Sequence, residues 1–354
     1  MGLLRLSVER CWREAFLCLA DAAPFDPTDN AELWESRMRT IAPLHADAKR
    51  VQEIIADLEK GVVPPVPIPE MRKLMKKRTA RLAADPPTVR KVVDRTIDAP
   101  GARVPVRLYY PEGADGTALP AYIYCHGGGF VVGDLDMVET VCRTICRDAG
   151  IVVVSVDYRL APEHKFPAGL DDTIAVARFV ARHGADIGID ARRLAIGGDS
   201  AGGNLAAAAA QALAGKGGVS FRFQVLVYPV TDLTCAQASY TDLGVGYPLT
   251  KERMQNYIKL YLVDAEQTTD VCASPLLAPS LAGQPPALVI LAGLDPLVDE
   301  GLAYARRLRE AGVAAEVAEA PDHPHGFLGW TREAKAARDM LALIGRRLRE
   351  HLFA

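Results

Sequence analysis

The stretch that most constrains this chain is Leu194-Ala-Ile-Gly-Gly-Asp-Ser-Ala-Gly-Gly-Asn-Leu205, which runs on into a series of alanines. Its first residues read as a short buried strand, and Leu205 to Ala214 as a tightly packed, alanine-rich helix. A strand that turns at once into a helix forces strained dihedrals on the residue at the apex, here Ser200. Gly198 and Gly202 complete the pattern G-x-S-x-G and remove the side chains that would collide where strand and helix cross. Such a turn presents the Ser200 hydroxyl at the positive end of a helix, with the Ala201 amide facing any charge that builds up beside it. The plainer reading of the same glycines is a loop that only connects strand to helix. Phosphate-binding and dinucleotide-binding loops fit less well, because no lysine follows the glycines and G-x-G-x-x-G is not matched.

Composition narrows the classes further. The 354 residues carry 41 Lys and Arg against 44 Asp and Glu, a net charge of −3, so nothing points to nucleic acid. With 49% hydrophobic residues there is ample material for a large core. The cysteines, Cys11, Cys18, Cys125, Cys142, Cys146, Cys235 and Cys272, are scattered without metal-ligand spacing. Their odd count argues for reduced, mostly buried thiols, and with no transmembrane run or signal-peptide core the expected location is the cytoplasm.

Taken in order, residues 1–85 differ from the rest. Leu4, Val8, Cys11, Trp12 and Ala15 follow helical spacing, as do Ile41, Leu44, Ala48, Val51, Ile54, Ile55 and Leu58. A proline-rich stretch separates these from a further helical stripe, Met71, Leu74, Met75, Arg78 and Leu82, which is surrounded by Arg72, Lys73, Lys76, Lys77 and Arg81. A basic amphipathic helix can lie on a membrane, but a solvated charged face is the expectation here. From residue 89 strands take over. Val89 to Ile97 and Val104 to Tyr110, separated by Pro100-Gly101, predict an antiparallel hairpin. Strand–helix alternation then runs from Ala121 to Tyr228, stops between Asp232 and Cys272, and resumes from Ala287 to Leu352. That alternation predicts a mostly parallel central sheet with helices on both faces, and an excursion above the sheet over residues 233–272.

A serine hydroxyl is a weak nucleophile and needs a base, which in turn needs an orienting carboxylate. Asp295 follows the strand Ala287 to Ala292, and Asp322-His-Pro-His-Gly-Phe327 follows the strand Ala314 to Ala318. Catalytic groups gather at the carboxyl ends of strands in open sheets, so these positions are expected to converge on Ser200. His126-Gly-Gly-Gly-Phe130, directly after another strand, lets the backbone turn back and aim amides at an oxyanion. His323 is a rival for the base, and Asp299 and Asp322 are rivals for the acid.

From about Val104 to Leu328 the chain closely resembles the hormone-sensitive lipase family of esterases. The signatures His126-Gly-Gly-Gly-Phe130, Asp157-Tyr-Arg-Leu-Ala-Pro-Glu163, Gly198-Asp-Ser-Ala-Gly-Gly203, Asp295-Pro-Leu297 and His325-Gly-Phe327 occur in the family's order. The resemblance implies an α/β-hydrolase fold with Ser200 as nucleophile, His325 as base and Asp295 as orienter. It also implies an oxyanion hole from the amides of Gly128, Gly129 and Ala201, with His126, Gly127 and Asp199 as supporting motif residues. A helical cap would be built from residues 1–85 and 233–272 on a catalytic domain of residues 86–354. Pro324 departs from the family pattern and stiffens the histidine loop. Asp157, Arg159 and Glu163 are expected to hold loops by ion pairs and hydrogen bonds. The expected activity is hydrolysis of short- to medium-chain acyl esters through an acyl-enzyme, with no metal or cofactor. An amidase or small-molecule deacetylase is the alternative within the same chemistry, and a non-catalytic small-molecule receptor is the alternative from another class. The expected partner is a small ester; neither nucleic acid nor membrane is expected, and a homodimer is compatible with the sequence.

Overall fold

The computed structural model describes residues 41–63, 65–99, 101–113, 116–215 and 218–354. The expected helix over Leu4 to Ala15, and the rest of residues 1–40, lie outside them. Eight strands form one sheet: β1 (Lys91–Ala99), β2 (Ala102–Tyr110), β3 (Leu119–Cys125), β4 (Val152–Val156), β5 (Ile189–Asp199), β6 (Phe221–Val227), β7 (Ala287–Leu294) and β8 (Ala315–Pro324). Their spatial order is β1-β2-β4-β3-β5-β6-β7-β8. Only β2 runs against its neighbours: it pairs antiparallel with both β1 and β4, while β3 to β8 are parallel.

Central strands here are buried on both faces, and their sequences say so. Val152 to Val156 is an uninterrupted apolar run apart from Ser155, and every residue in it is buried. Alternate residues feed two cores. Ile123, Val154, Ile196, Leu226 and Val289 face one side. Tyr122, Val153, Ala195, Val225 and Ile290 face the other. The first side is covered by α4 (Ala168–His183), α5 (Ala201–Leu213) and α7 (Val298–Glu310). The second is covered by α3 (Glu139–Ala149) and α8 (Lys335–Phe353). All residues of α5 are buried, and its sequence is mostly alanine and glycine because a helix packed against both β5 and α4 has little room for larger side chains.

Two helices precede the sheet, α1 (Ala46–Leu58) and α2 (Ile68–Leu82). Ala48, Val51, Ile55 and Leu82 are buried in the second core, as their helical spacing predicts. Ile41 begins the predicted stripe but lies outside α1 and is 57% exposed. Four cations of α2 are held in ion pairs with residues outside the helix. Arg72 pairs with Glu163, Lys76 with Asp134, Arg78 with Glu59 and Arg81 with Glu333. Between β6 and β7 the chain leaves the sheet, makes one short helical turn at Ser239–Asp242, and forms α6 (Lys251–Tyr261). Buried Glu300 anchors this excursion: its carboxyl accepts from the amides of Thr231 and Asp232 and from the Tyr240 hydroxyl. Burial nevertheless pushes that carboxyl well above its ordinary range. No helix among the described residues is long and apolar enough to cross a membrane.

Several boundaries differ from the sequence expectation. β5 begins at Ile189, well before Leu194, with an irregular register beside β6. Helix α5 starts directly at Ala201, so Gly202 to Asn204 are helical. β8 runs on to Pro324, which puts His323 on a strand end and leaves only His325 in the turn beyond it.

The loop after β4 is fixed by charge. Arg159 makes a forked contact with Asp172 of α4, its Nε and Nη2 lying 2.8–3.0 Å from the carboxylate oxygens, and its backbone amide donates to Oδ2 at 2.9 Å. Asp172 is 1% exposed and the Arg159 side chain 30%, so it is loss of Arg159 that strands a charge out of water's reach. Arg159→Ala is expected to lower unfolding stability by about 3 kcal/mol in denaturant titration; a loss below about 1 kcal/mol would show that the pair does not hold this loop.

Candidate active site

The site starts from the turn between β5 and α5. Ser200 has φ 56° and ψ −119°, a conformation that L-residues avoid. It persists because its surroundings over-determine it. The Ser200 amide donates to the Val227 carbonyl at 2.9 Å, and its own carbonyl accepts from Asn204 and Val230 at 3.1 and 3.2 Å. A β-carbon on Gly198 or Gly202 would overlap the backbone of Cys125 at the end of β3. The hydroxyl is therefore held at the floor of a cavity of about 180 Å³.

His325 follows β8 and sits across this floor. Its Nε2 is 2.8 Å from Ser200 Oγ, and its Nδ1 is 2.6 Å from Asp295 Oδ2. Asp295, at the carboxyl end of β7, is fully buried, and its other oxygen accepts from the Leu297 amide at 2.9 Å. The three side chains that the sequence pointed to thus form one hydrogen-bonded chain, although they come from three separate loops. The Tyr228 ring lies 4.6 Å from the imidazole and borders its other side. The rivals are elsewhere. His323 is engaged with Asp322 and Asp47. Asp299 accepts from the Ser239 amide.

The glycine run after β3 forms the other wall. Gly128 and Gly129 have φ of 125° and 59°. A β-carbon on Gly128 would strike the Val132 carbonyl, and one on Gly129 the ring of Tyr257. Among the described residues, none accepts a hydrogen bond from the amides of Gly128, Gly129 or Ala201. All three residues adjoin Ser200 or line its cavity, so they can serve a developing negative charge. Asp199 fixes this loop to the turn: its Oδ1 accepts from the Gly127 amide at 2.9 Å and from the Tyr124 hydroxyl at 2.6 Å. Loss of hydration pushes the Asp199 carboxyl up, opposed by these two hydrogen bonds and by nearby His126. His126 turns away from the serine. Its Nδ1 is 2.8 Å from the Gly127 carbonyl, and its ring stacks on Tyr158 at 4.4 Å.

Three contributors had no readable signal in the sequence. Tyr257 of α6 lies against Gly129, and Tyr261 stacks on Phe130 at 3.8 Å. Arg72 of α2 donates from Nε to the Val131 carbonyl and from Nη2 to the Ala161 carbonyl, while also pairing with Glu163. It looks like any other cation of a basic helix face until the fold places the oxyanion-side loop beside it. The Asp157–Glu163 segment holds loops as expected, through Arg159 with Asp172 and Glu163 with Arg72. Burial pushes the Asp157 carboxyl up. It pushes the Cys125 thiol up to about 12, which leaves that cysteine inert beside the site.

Comparison with known proteins agrees with this geometry. Residues 122–329 match a family model described as alpha/beta hydrolase fold. This chain belongs to that family. An ethyl acetate hydrolase of Pseudomonas putida is 40% identical over 71% of this chain and 80% of its own length. A carboxylic ester hydrolase of Mycobacterium tuberculosis, LipN, is 44% identical over 67% of this chain and 64% of its own. Among solved structures, an alpha/beta hydrolase enzyme from the metagenome of Lake Arreo superposes with a TM-score of 0.84 at 37% identity, covering 88% of this chain and 99% of that one. A thermostable esterase from Pseudomonas putida gives a TM-score of 0.81 at 34% identity, covering 86% and 97%. The relatives are esterases, as the resemblance to the hormone-sensitive lipase family implies.

The two histidines of the β8 end make a direct test of the geometry. His325→Ala is expected to cut ester turnover by roughly a thousandfold or more, because members of such a chain act as a unit. His323→Ala should leave turnover within about tenfold of the parent. Steady-state rates on an aryl ester decide it, and the reverse order would assign the base to His323.

Proposed function

We propose that this chain is a serine carboxylic ester hydrolase that works on short- to medium-chain acyl esters through an acyl-enzyme. The observation that carries the reading is the continuous Asp295–His325–Ser200 hydrogen-bonded chain facing unengaged backbone amides. Ser200 attacks the ester carbonyl while His325 Nε2 takes its proton. Asp295 holds the imidazole in the tautomer with hydrogen on Nδ1 and stabilises the imidazolium that forms. The amides of Gly128, Gly129 and Ala201 receive the negative charge of the tetrahedral intermediate. His325 then gives the proton to the leaving alkoxide; water, deprotonated by the same imidazole, attacks the acyl-enzyme carbonyl, and the imidazolium returns that proton to Ser200 Oγ as the acid leaves. Every proton and electron pair is accounted for by these side chains, so the reaction calls on no metal or cofactor.

Substrate size follows from the roof. We read residues 1–85 and 233–272 as a cap on a catalytic domain of residues 86–354. Met75 and Leu82 of α2, with Leu249 and Met254 of the excursion, line the cavity above Ser200 together with Val138 and Trp330. A covered apolar pocket excludes water and favours acyl chains that it can enclose. Each further methylene gains about 0.8 kcal/mol only while there is room to bury it. The free, buried state of Cys125, Cys142, Cys146, Cys235 and Cys272 supports a reducing compartment such as the cytoplasm.

An aryl-ester series of increasing acyl length tests this reading, with Ser200→Ala as blank. Catalytic efficiency is expected to climb over roughly two to eight carbons and then fall, and hydrolysis should continue in the presence of EDTA. Preference for emulsified long-chain triglycerides, or a Ser200→Ala variant as active as the parent, would overturn it.

A further inference from the structure

A second cluster of chemistry-bearing groups lies where α1 meets the end of β8, and the ester mechanism uses none of it. His45 caps the N-terminus of α1 and is half exposed. Its Nδ1 accepts from the Asp47 amide at 3.3 Å, yet lies only 2.7 Å from Asp47 Oδ1. The same Oδ1 is 2.9 Å from Nε2 of His323, whose side chain is 3% exposed. His323 Nδ1 is 2.8 Å from Asp322 Oδ1. The two imidazoles stack, with centroids 5.1 Å apart. One ligand atom from each of His45, Asp47 and His323 lies within 4.8 Å of the other two.

Counting donors shows what this arrangement lacks. A carboxylate oxygen only accepts, and a neutral imidazole carries one N–H. In the tautomer in which His45 Nδ1 accepts from the Asp47 amide, it has no proton for Asp47 Oδ1. His323 has a carboxylate oxygen at each nitrogen. With its proton given to Asp322, its Nε2 turns a lone pair toward Asp47 Oδ1. In that state three lone-pair atoms lie within 4.8 Å of one another, and a cation held between them would offset their repulsion. The outer contact also fits a metal ligand: an imidazole that binds a metal through one nitrogen donates its other N–H to a carboxylate, as His323 would to Asp322.

We infer that His45 Nδ1, the Asp47 carboxylate and His323 Nε2 bind a divalent transition-metal ion of the zinc class. Two imidazoles and one carboxylate suit zinc, cobalt or nickel rather than magnesium or calcium, and the exposed side of His45 leaves an entry path and room for a water as fourth ligand. The cage is braced from outside the ligands. The His45 amide donates to the Asp322 carbonyl at 3.0 Å, and the Lys335 amide donates to Asp47 Oδ2 at 3.1 Å. Both nitrogens of His325 are engaged elsewhere, so this ion would take no part in ester cleavage. Its position gives it a structural task. It would pin α1 to the strand end from which the His325 turn departs, joining residues 276 positions apart in sequence.

The test uses the full-length protein, stripped of metal with a chelator, dialysed, and titrated with zinc chloride by calorimetry. The expected result is one tightly bound equivalent per chain and a melting temperature raised by several degrees. Cobalt in place of zinc should give the visible absorption of a four-coordinate nitrogen–oxygen site. His45→Ala removes the half-exposed ring together with its contacts to Asp47 and His323, and should weaken zinc binding at least tenfold. His323→Gln should abolish the stoichiometric equivalent. The inference fails if the parent takes up no stoichiometric zinc, in which case protons hold the cluster together. It fails equally if His45→Ala and His323→Gln bind zinc as tightly as the parent.

Discussion

Everything functional in this molecule depends on how closely β5, α5 and β3 approach at one crossing. Gly198 and Gly202 touch the backbone of Cys125, so no side chain separates the serine turn from the strand that delivers the glycine loop. That contact puts the N-terminus of α5 and the amides after His126 on the same side of Ser200. A single β-carbon there would push the two walls of the site apart. The strained φ of Ser200 is the cost of the arrangement, and it is offset by hydrogen bonds to Val227, Asn204 and Val230 that tie the apex to the neighbouring elements.

The crossing also explains why so much of the fold was legible in the sequence. Strands buried on both faces must be written as apolar runs, and Val152 to Val156 or Ala287 to Ala292 can be little else. β1 and β2 pair Ala99 with Ala102, a hairpin that Pro100-Gly101 announces in the sequence. The glycines of the site are legible for the same reason, since each marks a place where a side chain does not fit. Element ends were less legible. The start of β5 at Ile189 and the continuation of β8 to Pro324 depend on pairing partners far away in sequence, which local pattern does not carry.

What the sequence did not disclose is the part played by residues with ordinary local roles. Arg72 belongs to a basic helix face, and only the docking of α2 turns it into the donor that holds the Val131 and Ala161 carbonyls. Tyr257 and Tyr261 look like the apolar stripe of a helix. His323 looks like a rival base, and becomes something different only because α1 brings Asp47 against it. In each case the missing information is tertiary: segments from 59 to 276 positions apart in sequence have to meet before the side chain acquires its meaning. Tyr124 is of the same kind, a strand residue until its hydroxyl reaches Asp199 from the neighbouring strand.

Helix α6 supplies the roof of the pocket and also leans on the catalytic backbone itself, with Tyr257 against Gly129 and Tyr261 stacked on Phe130. The wall that sorts substrates is therefore not an independent part. Enlarging the pocket by shortening Tyr257 would also release the peptide plane whose amide we propose serves the oxyanion. A gain in accepted substrate size from that side would come with a slower chemical step. On the α2 side the two tasks fall to different residues: Met75 and Leu82 line the cavity, and Arg72 makes the contact with the Val131 carbonyl. Sequence drift or design that broadens substrate range at constant rate thus has an open route through α2 and a closed one through α6.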